Sequence, residues 1–122
     1  MARTFFIIAS LSACIAVALG AFAAHILKQK LTPEMFGIFE MGVRYHVYHV
    51  FALFIVAWAT TYFTTANFVP AGWLFVAGTF IFSGSLYLLS LTETRWLGAI
   101  TPIGGLCFLA GWLWMAWSVW KA

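Results

Sequence analysis

Apolar residues form four long stretches that fill almost all of this chain, with most polar residues gathered between them. The stretches cover residues 5–27, 43–63, 71–91 and 97–120. The hydrocarbon core of a bilayer is about 30 Å thick and requires about 20 apolar residues per helix, which each stretch supplies. The pattern therefore predicts an all-α integral membrane protein. We expect residues 1–122 to form one domain, with four transmembrane helices in an antiparallel bundle.

The first stretch separates its large and small side chains at helical spacing. At about 100° per residue the large side chains share one stripe. They are Ile8, Leu11, Ile15, Leu19, Phe22 and Ile26. Both flanks of that stripe carry Ala, Gly, Ser or Cys instead. Because helices in lipid associate by close approach at small residues, we expect the first helix to lie centrally between two neighbours, with only the large stripe facing lipid.

The second helix has a clear start signal ahead of its apolar stretch. Thr32 is placed to cap the helix and Pro33 to be its first residue. The negative charge of Glu34 stabilises the first turn of the helix. We expect this helix to begin as an interfacial segment and to continue into the second span. The side chains expected to face lipid in that segment are Met35, Phe36, Ile38 and Phe39.

The third and fourth stretches are joined by a very short link, residues 92–95. So short a connection predicts that the two helices form a tight antiparallel pair. Within the fourth stretch, Pro102 is followed by Gly104 and Gly105. Two such glycines allow the backbone of a partner helix to come close.

Composition and charge agree with a membrane protein. The chain is 65% hydrophobic and 7% charged, whereas a soluble domain has about 25% charged residues. The net charge of +3 is spread over the ends of the apolar stretches, where Lys and Arg meet lipid headgroups. A nucleic-acid surface would need clustered basic residues, so we expect no nucleic-acid partner. The expected partners are membrane lipids and either a second copy of the chain or another membrane protein.

Basic residues also give an expected orientation. With four crossings, Arg3 and Lys121 share one side of the membrane. The opposite side carries Lys28, Lys30, Arg44 and Arg95. Because cytoplasmic loops are enriched in Lys and Arg, we expect those links to face the cytoplasm and both termini to face outward.

Polar side chains within or beside the spans are functional candidates by default, because ionisable groups are costly at membrane depth. Glu40 and Arg44 are four residues apart, a spacing that predicts an ion pair. Tyr45 and His49 lie on a second face, and we expect His25 to lie at similar depth. The candidate polar cluster is His25, Glu40, Arg44, Tyr45, His49, Ser83, Ser85 and Tyr87.

Each of these groups also has a structural interpretation. Arg44 beside Glu40 fits a side chain that reaches toward headgroups, and His46 and His49 fit hydrogen bonds between helices. Two chemistries stay open. A b-type haem held by His25 and His49 is one, and a proton relay through His and Glu is the other. The sequence has no nucleophile–base pair, phosphate loop or paired carboxylates, so it predicts neither an enzyme nor a cofactor site.

Four short motifs occur along this chain. They are Gly20-Ala21-Phe22-Ala23-Ala24-His25, Arg44-Tyr45 with Tyr48-His49, Phe82-Ser83-Gly84-Ser85-Leu86-Tyr87, and Thr101-Pro102-Ile103-Gly104-Gly105. In combination they resemble the YgdD/YwdK family of small bacterial inner-membrane proteins of unknown function, which has mitochondrial relatives. The resemblance implies a compact four-helix membrane protein in which the motif residues matter. His46 stands where the family pattern often has Gln.

The sequence is therefore interpreted as a small multi-pass protein of the bacterial inner membrane. Its expected role is that of a structural or accessory membrane component without catalytic residues. The alternative is a small proton-linked carrier, or a haem- or metal-binding redox protein, that uses His25, Arg44 and His49.

Overall fold

The computed structural model describes residues 1–122 and is entirely helical. Its four long helices are α1 (Ala2–Lys30), α2 (Pro33–Tyr62), α3 (Val69–Thr92) and α4 (Arg95–Trp120). Local π-helical turns occur in α1 at Ala23–Leu27 and in α3 at Thr79–Ser83, and α4 opens with a 3₁₀ turn at Arg95–Ala99. The prediction of an all-α protein is confirmed.

Three of these helices, α1, α3 and α4, are long and apolar enough to cross a membrane. Helix α2 has 30 residues, about 45 Å at 1.5 Å per residue, so its length also suffices. Its hydropathy is lowered by a polar run within the span. That run contains Arg44, Tyr45, His46, Tyr48 and His49. Length and composition therefore support a crossing for three helices and leave α2 to be judged by its packing.

Helix α2 occupies the centre of the molecule, where it contacts the other three helices. Phe39, Ala52 and Val56 are completely shielded from the outside. The expectation that α1 lies centrally is wrong, because α1 buries only one face and Val17 on its far side is 71% exposed. Small side chains allow close approach but bury little area, so the larger side chains of α2 form the core instead. As expected, Leu11 of the large stripe on α1 faces outward.

Helices α3 and α4 pack as a tight pair, as their short link predicts. A side chain added at Gly104 would overlap the main chain of Phe82, with its Cβ 2.8 Å from the Phe82 Cα atom. At Gly105 the nearest atoms of Phe82 would be 3.9 Å away, an ordinary contact. Only Gly104 of the two glycines is therefore required by the crossing. Glu93 adopts a left-handed conformation (φ 55°) and turns the chain between the two helices.

The start of α2 forms as its sequence predicts. The Thr32 hydroxyl accepts a hydrogen bond from the Met35 amide at 3.2 Å, and Pro33 is the first helical residue. The expectation that Met35 and Phe39 face lipid is wrong. Both are buried, and Phe39 packs into a cluster with Leu27 at the end of α1.

An ion pair that the sequence did not indicate links α2 to α4. The Arg95 guanidinium donates to the Glu34 carboxylate at 2.9 Å, with both side chains exposed. Arg95 lowers the pKa of the Glu34 carboxyl below its usual value. Because the folded pKa is depressed, the stabilisation from this pair is present at neutral pH and is lost as the pH falls through that lowered pKa.

Candidate functional site

The polar side chains inside the molecule meet at α2, around two histidines one turn apart. His46 and His49 are only 5% and 4% exposed. A buried imidazole needs hydrogen-bond partners, because an unsatisfied polar group is costly in an apolar interior. Each histidine has two such partners, and the partners differ in kind.

His46 bridges three helices. Its Nε2 atom lies 2.8 Å from the Ser12 hydroxyl of α1, and its Nδ1 atom lies 2.9 Å from the Tyr87 hydroxyl of α3. A hydroxyl can donate or accept, so both neutral tautomers of this imidazole are compatible with its partners. The hydrogen bonds around His46 can therefore reverse direction without any movement of heavy atoms.

His49 is fixed in one state by its partners. Its Nδ1–H donates to the Tyr45 carbonyl at 2.8 Å, and its Nε2 atom accepts from the Trp112 indole N–H at 3.2 Å. A carbonyl can only accept and an indole N–H can only donate, so these two contacts select one neutral tautomer. The ring also stacks on Phe108, with centroids 3.5 Å apart. His49 therefore connects α2 to α4, and neither ring nitrogen is left free to ligate a metal or haem iron.

The serines of α3 complete the set of contacts between helices. Ser83 donates to the Gly42 carbonyl of α2 at 2.7 Å. The hydroxyl of Ser85 lies 2.6 Å from that of Thr101 on α4. Every buried polar side-chain atom has a partner within the chain. The interior polar groups are therefore committed to holding helices together.

His25 does not join the histidines of α2. It is exposed and lies in the π-helical turn of α1. The register of α1 on α2 places Ser12 beside His46, and His25 is 13 residues further along α1, which is about 20 Å of helix rise. The expectation of equal depth is wrong for this reason, and the His25–His49 haem pair is not brought together.

Glu40 and Arg44 do not form the predicted ion pair. Both side chains are exposed on the outer face of α2, and the molecule's ion pair joins Glu34 to Arg95 instead. Tyr45 is also outward, with its ring against Phe82 at 4.8 Å. Of the predicted polar cluster, only His49, Ser83, Ser85 and Tyr87 take part in the contacts between helices described above.

The predicted cluster omits His46, Ser12 and Trp112, but the interpretation of His46 as a partner in hydrogen bonds between helices is confirmed. The resembling family pattern, which often has Gln at that position, argues only against His46 as a ligand. A glutamine side chain and a neutral imidazole each offer both a donor and an acceptor, so either residue suits a position between two hydroxyls. The signal that could have found His46 is its position three residues before His49, on the same flank of the helix.

A lateral groove lies between α1 and α3, with α2 as its floor. Its volume is about 380 Å³. The walls are apolar, and His46, Ser12 and Tyr87 lie at the floor and sides. The structure brings together no three His, Cys, Asp or Glu side chains that could hold a metal ion. The groove therefore reaches the polar centre at His46 and offers no metal site there.

The sequence is similar to one family of known proteins. A family model described as "Protein of unknown function (DUF423)" matches residues 19–105. The UPF0382 membrane protein YwdK of Bacillus subtilis is 44% identical over 112 residues, which is 91% of each chain. The UPF0382 membrane protein SH2409 of Staphylococcus haemolyticus is 44% identical over 119 residues, covering 98% of this chain and 97% of the relative. No solved structure matches.

Proposed function

We propose a role for this chain on the premise that it belongs to the DUF423 family of membrane proteins of unknown function. The role is that of a non-catalytic structural or accessory component of the bacterial inner membrane. The observation that carries the proposal is the complete pairing of buried polar side-chain atoms within the chain. Both ring nitrogens of His46, and Nε2 of His49, form hydrogen bonds to other helices, and Nδ1 of His49 is bonded within α2.

We further propose that all four helices cross the bilayer. The support comes from the position of α2 beside α1, which is long and apolar enough to cross. The two helices pack antiparallel from the cluster of Leu27 with Phe39 to the contact of Phe6 with Phe54. Because α2 runs along α1 over this distance, it shares the depth of α1 in the membrane. Its histidines face inward, which reduces the cost of placing them there.

The proposed orientation follows the basic residues. Lys28, Lys30 and Arg95 lie at one end of the helices, where Arg95 reaches Glu34 at the start of α2. Arg3 and Lys121 lie at the opposite end. Since Lys and Arg are enriched on the cytoplasmic side, the links after α1 and α3 face the cytoplasm and both termini face outward.

The carrier or redox alternative finds no support in the geometry. It requires His25, Arg44 and His49 to act together. His25 is exposed on α1, Arg44 is exposed on α2, and His49 is buried against α4. These three side chains therefore lie in three separate environments, and no observation favours a shared site.

The outer face of α2 supports association with a second copy of the chain. Its outward residues recur at alternating spacings of three and four, the period of helices that pack along a common seam. They are Met41, Arg44, Tyr48, Phe51, Ile55, Trp58 and Tyr62. Glu40 and Arg44 are exposed there without an ion pair of their own. A two-fold axis along this seam would bring equivalent residues of the two copies together.

Cysteine cross-linking in native membranes tests this association. In a chain whose Cys14 and Cys107 are replaced by Ala, Phe51→Cys is expected to give a disulfide-linked dimer on treatment with copper phenanthroline. Leu113→Cys, on the outward face of α4, is the matched control because Leu113 is 70% exposed and Phe51 60%. Equal cross-linking of the two variants, or none for Phe51→Cys, would contradict self-association through α2.

A further inference from the structure

The groove between α1 and α3 has the dimensions of a binding site. Its volume of about 380 Å³ falls in the range of roughly 300–1,000 Å³ that small-molecule sites occupy. Beyond Ile8 at one end of the groove, Phe5 packs on Gly72 and Trp73, with the Phe5 and Trp73 ring centroids 5.3 Å apart. Near the other end, Tyr87 packs against the cluster of Leu27 and its neighbours. Packed side chains therefore lie beyond both ends of the groove.

The groove opens sideways, toward the surroundings of the helices. Leu11, Ile15 and Phe80 contribute to its lining and are 63%, 55% and 78% exposed. In a membrane these side chains meet lipid, so a molecule enters the groove from the lipid phase. Its apolar walls suit a hydrocarbon chain, which they would hold by van der Waals contact.

Gly84 shows that the space beside α3 is unfilled. A Cβ atom at Gly84 would have no neighbour within 4 Å, although the residue follows directly on the π-helical turn Thr79–Ser83. Gly84 lines the groove, so this open space is part of the groove and is not an interior void. In a membrane such a space is filled by lipid or by another bound molecule. Single π-helical turns are frequent at functional sites.

The polar groups at the groove define the head that this molecule carries. None of the lining residues is Asp, Glu, Lys or Arg, so no ionic partner is available for a phosphate or carboxylate. Ser12 and Tyr87 each make one hydrogen bond to His46. A hydroxyl has one donor and two acceptor positions, so both side chains retain capacity for a further partner. Because either tautomer of His46 suits its partners, these hydroxyls can present a donor or an acceptor.

We propose that this groove binds a neutral membrane lipid with a long hydrocarbon chain and a hydroxyl or carbonyl head, held by hydrogen bonds to Ser12 and Tyr87. The chain of the lipid lies along the apolar walls of α1 and α3. His46 sets the direction of the hydrogen bonds at the head. This binding role is separate from the structural role proposed above and can fail while that role stands.

Photolabelling tests the proposal on the full chain in native membranes. The probe is a long-chain alcohol with a diazirine in mid-chain, and the labelled residues are identified by peptide mass spectrometry. Labelling is expected to concentrate on groove residues such as Leu11, Ile15 and Phe80. A diazirine fatty acid of the same length, ionised at the pH of the experiment, is expected to label them less. Labelling spread evenly over the outward face of α4 would overturn the proposal, and equal groove labelling by both probes would overturn the neutral head.

Two glycine variants make the test specific. Gly84→Leu is expected to reduce groove labelling by at least about tenfold, because the leucine side chain would occupy the open space in which the hydrocarbon chain of the probe is proposed to lie. Gly37→Leu is the matched control, since Gly37 also has no neighbour within 4 Å and lies near the start of α2, outside the groove. Unchanged labelling in Gly84→Leu would contradict the assignment. If that variant does not fold, the labelling pattern of the unmodified chain decides the question.

Discussion

Gly104→Ala is expected to force α3 and α4 apart and to lower the free energy of unfolding by about 3 kcal/mol, at the upper end of the usual cost of overpacking. The added Cβ would lie 2.7 Å from the Phe82 Cβ and 2.8 Å from its Cα, with the Phe82 amide nitrogen nearer still. The Cα and amide nitrogen are main-chain atoms, and the Cβ is fixed to them, so none of the three can rotate away as the end of a flexible side chain can. The helices must therefore separate along their contact.

Gly105→Ala provides the matched control for this prediction. The same methyl group one residue along α4 would meet Phe82 at 3.9 Å, an ordinary van der Waals distance. We expect it to change the unfolding free energy by no more than about 0.5 kcal/mol. Unfolding in detergent, followed by circular dichroism, measures both variants. Similar stability for the two alanine variants would show that α3 and α4 do not cross closely at Gly104.

His46→Ala is expected to lower the free energy of unfolding by about 2 kcal/mol. The change removes hydrogen bonds to Ser12 and Tyr87 at 2.8 and 2.9 Å and leaves both hydroxyls without that partner. An unsatisfied buried donor or acceptor costs about 1–3 kcal/mol, whereas one interhelical hydrogen bond in a membrane protein contributes about 0.6 kcal/mol on average. The expected value lies between the sum of two such bonds and the full penalty.

Two further variants decide whether the hydrogen bonds of His46 are responsible. His46→Gln retains a donor and an acceptor, so it is expected to recover at least half of the stability lost in His46→Ala. His25→Ala removes an exposed imidazole and is expected to have almost no effect. The same thermal unfolding experiment compares all three variants. A loss in His25→Ala as large as that in His46→Ala would contradict the assignment of His46 as the bridge between helices.

Features set by local chemistry could be predicted from the sequence. The Thr32 cap and Pro33 at the start of α2 depend only on neighbouring residues, and both are found as expected. The short 92–95 link forces α3 and α4 together, and Gly104 permits the approach. In each case the deciding residues lie within a few positions of one another or on one helix face, so periodicity and spacing contain the necessary information.

Features set by the register between helices could not be predicted. Helical periodicity shows which residues share a face but not how far one helix is shifted along another. That shift places Ser12 beside His46 and leaves His25 outside. The i, i+4 spacing of Glu40 and Arg44 permits an ion pair, but their side chains lie apart on the outer face. Only the packed structure distinguishes these possibilities.

The hydropathy of α2 and its packing give different impressions of how polar the helix is toward its surroundings. The polar run that contains His46 and His49 makes α2 the least apolar of the four helices by sequence. The same residues are buried against α1, α3 and α4 by hydrogen bonds. A helix at the centre of a membrane protein can carry polar side chains because its neighbours, rather than lipid, satisfy them. Average hydropathy does not record which face a polar residue occupies.

The number of membrane crossings is the central claim, and the location of the two termini tests it most directly. Reporter fusions at the N-terminus and at the C-terminus, with green fluorescent protein for the cytoplasmic side and alkaline phosphatase for the outer side, locate both ends in living cells. If all four helices cross, both termini lie on the same side of the membrane, which is the outer side in the orientation proposed from the basic residues. If α2 does not cross, three crossings remain and the termini lie on opposite sides, a result that would contradict the account.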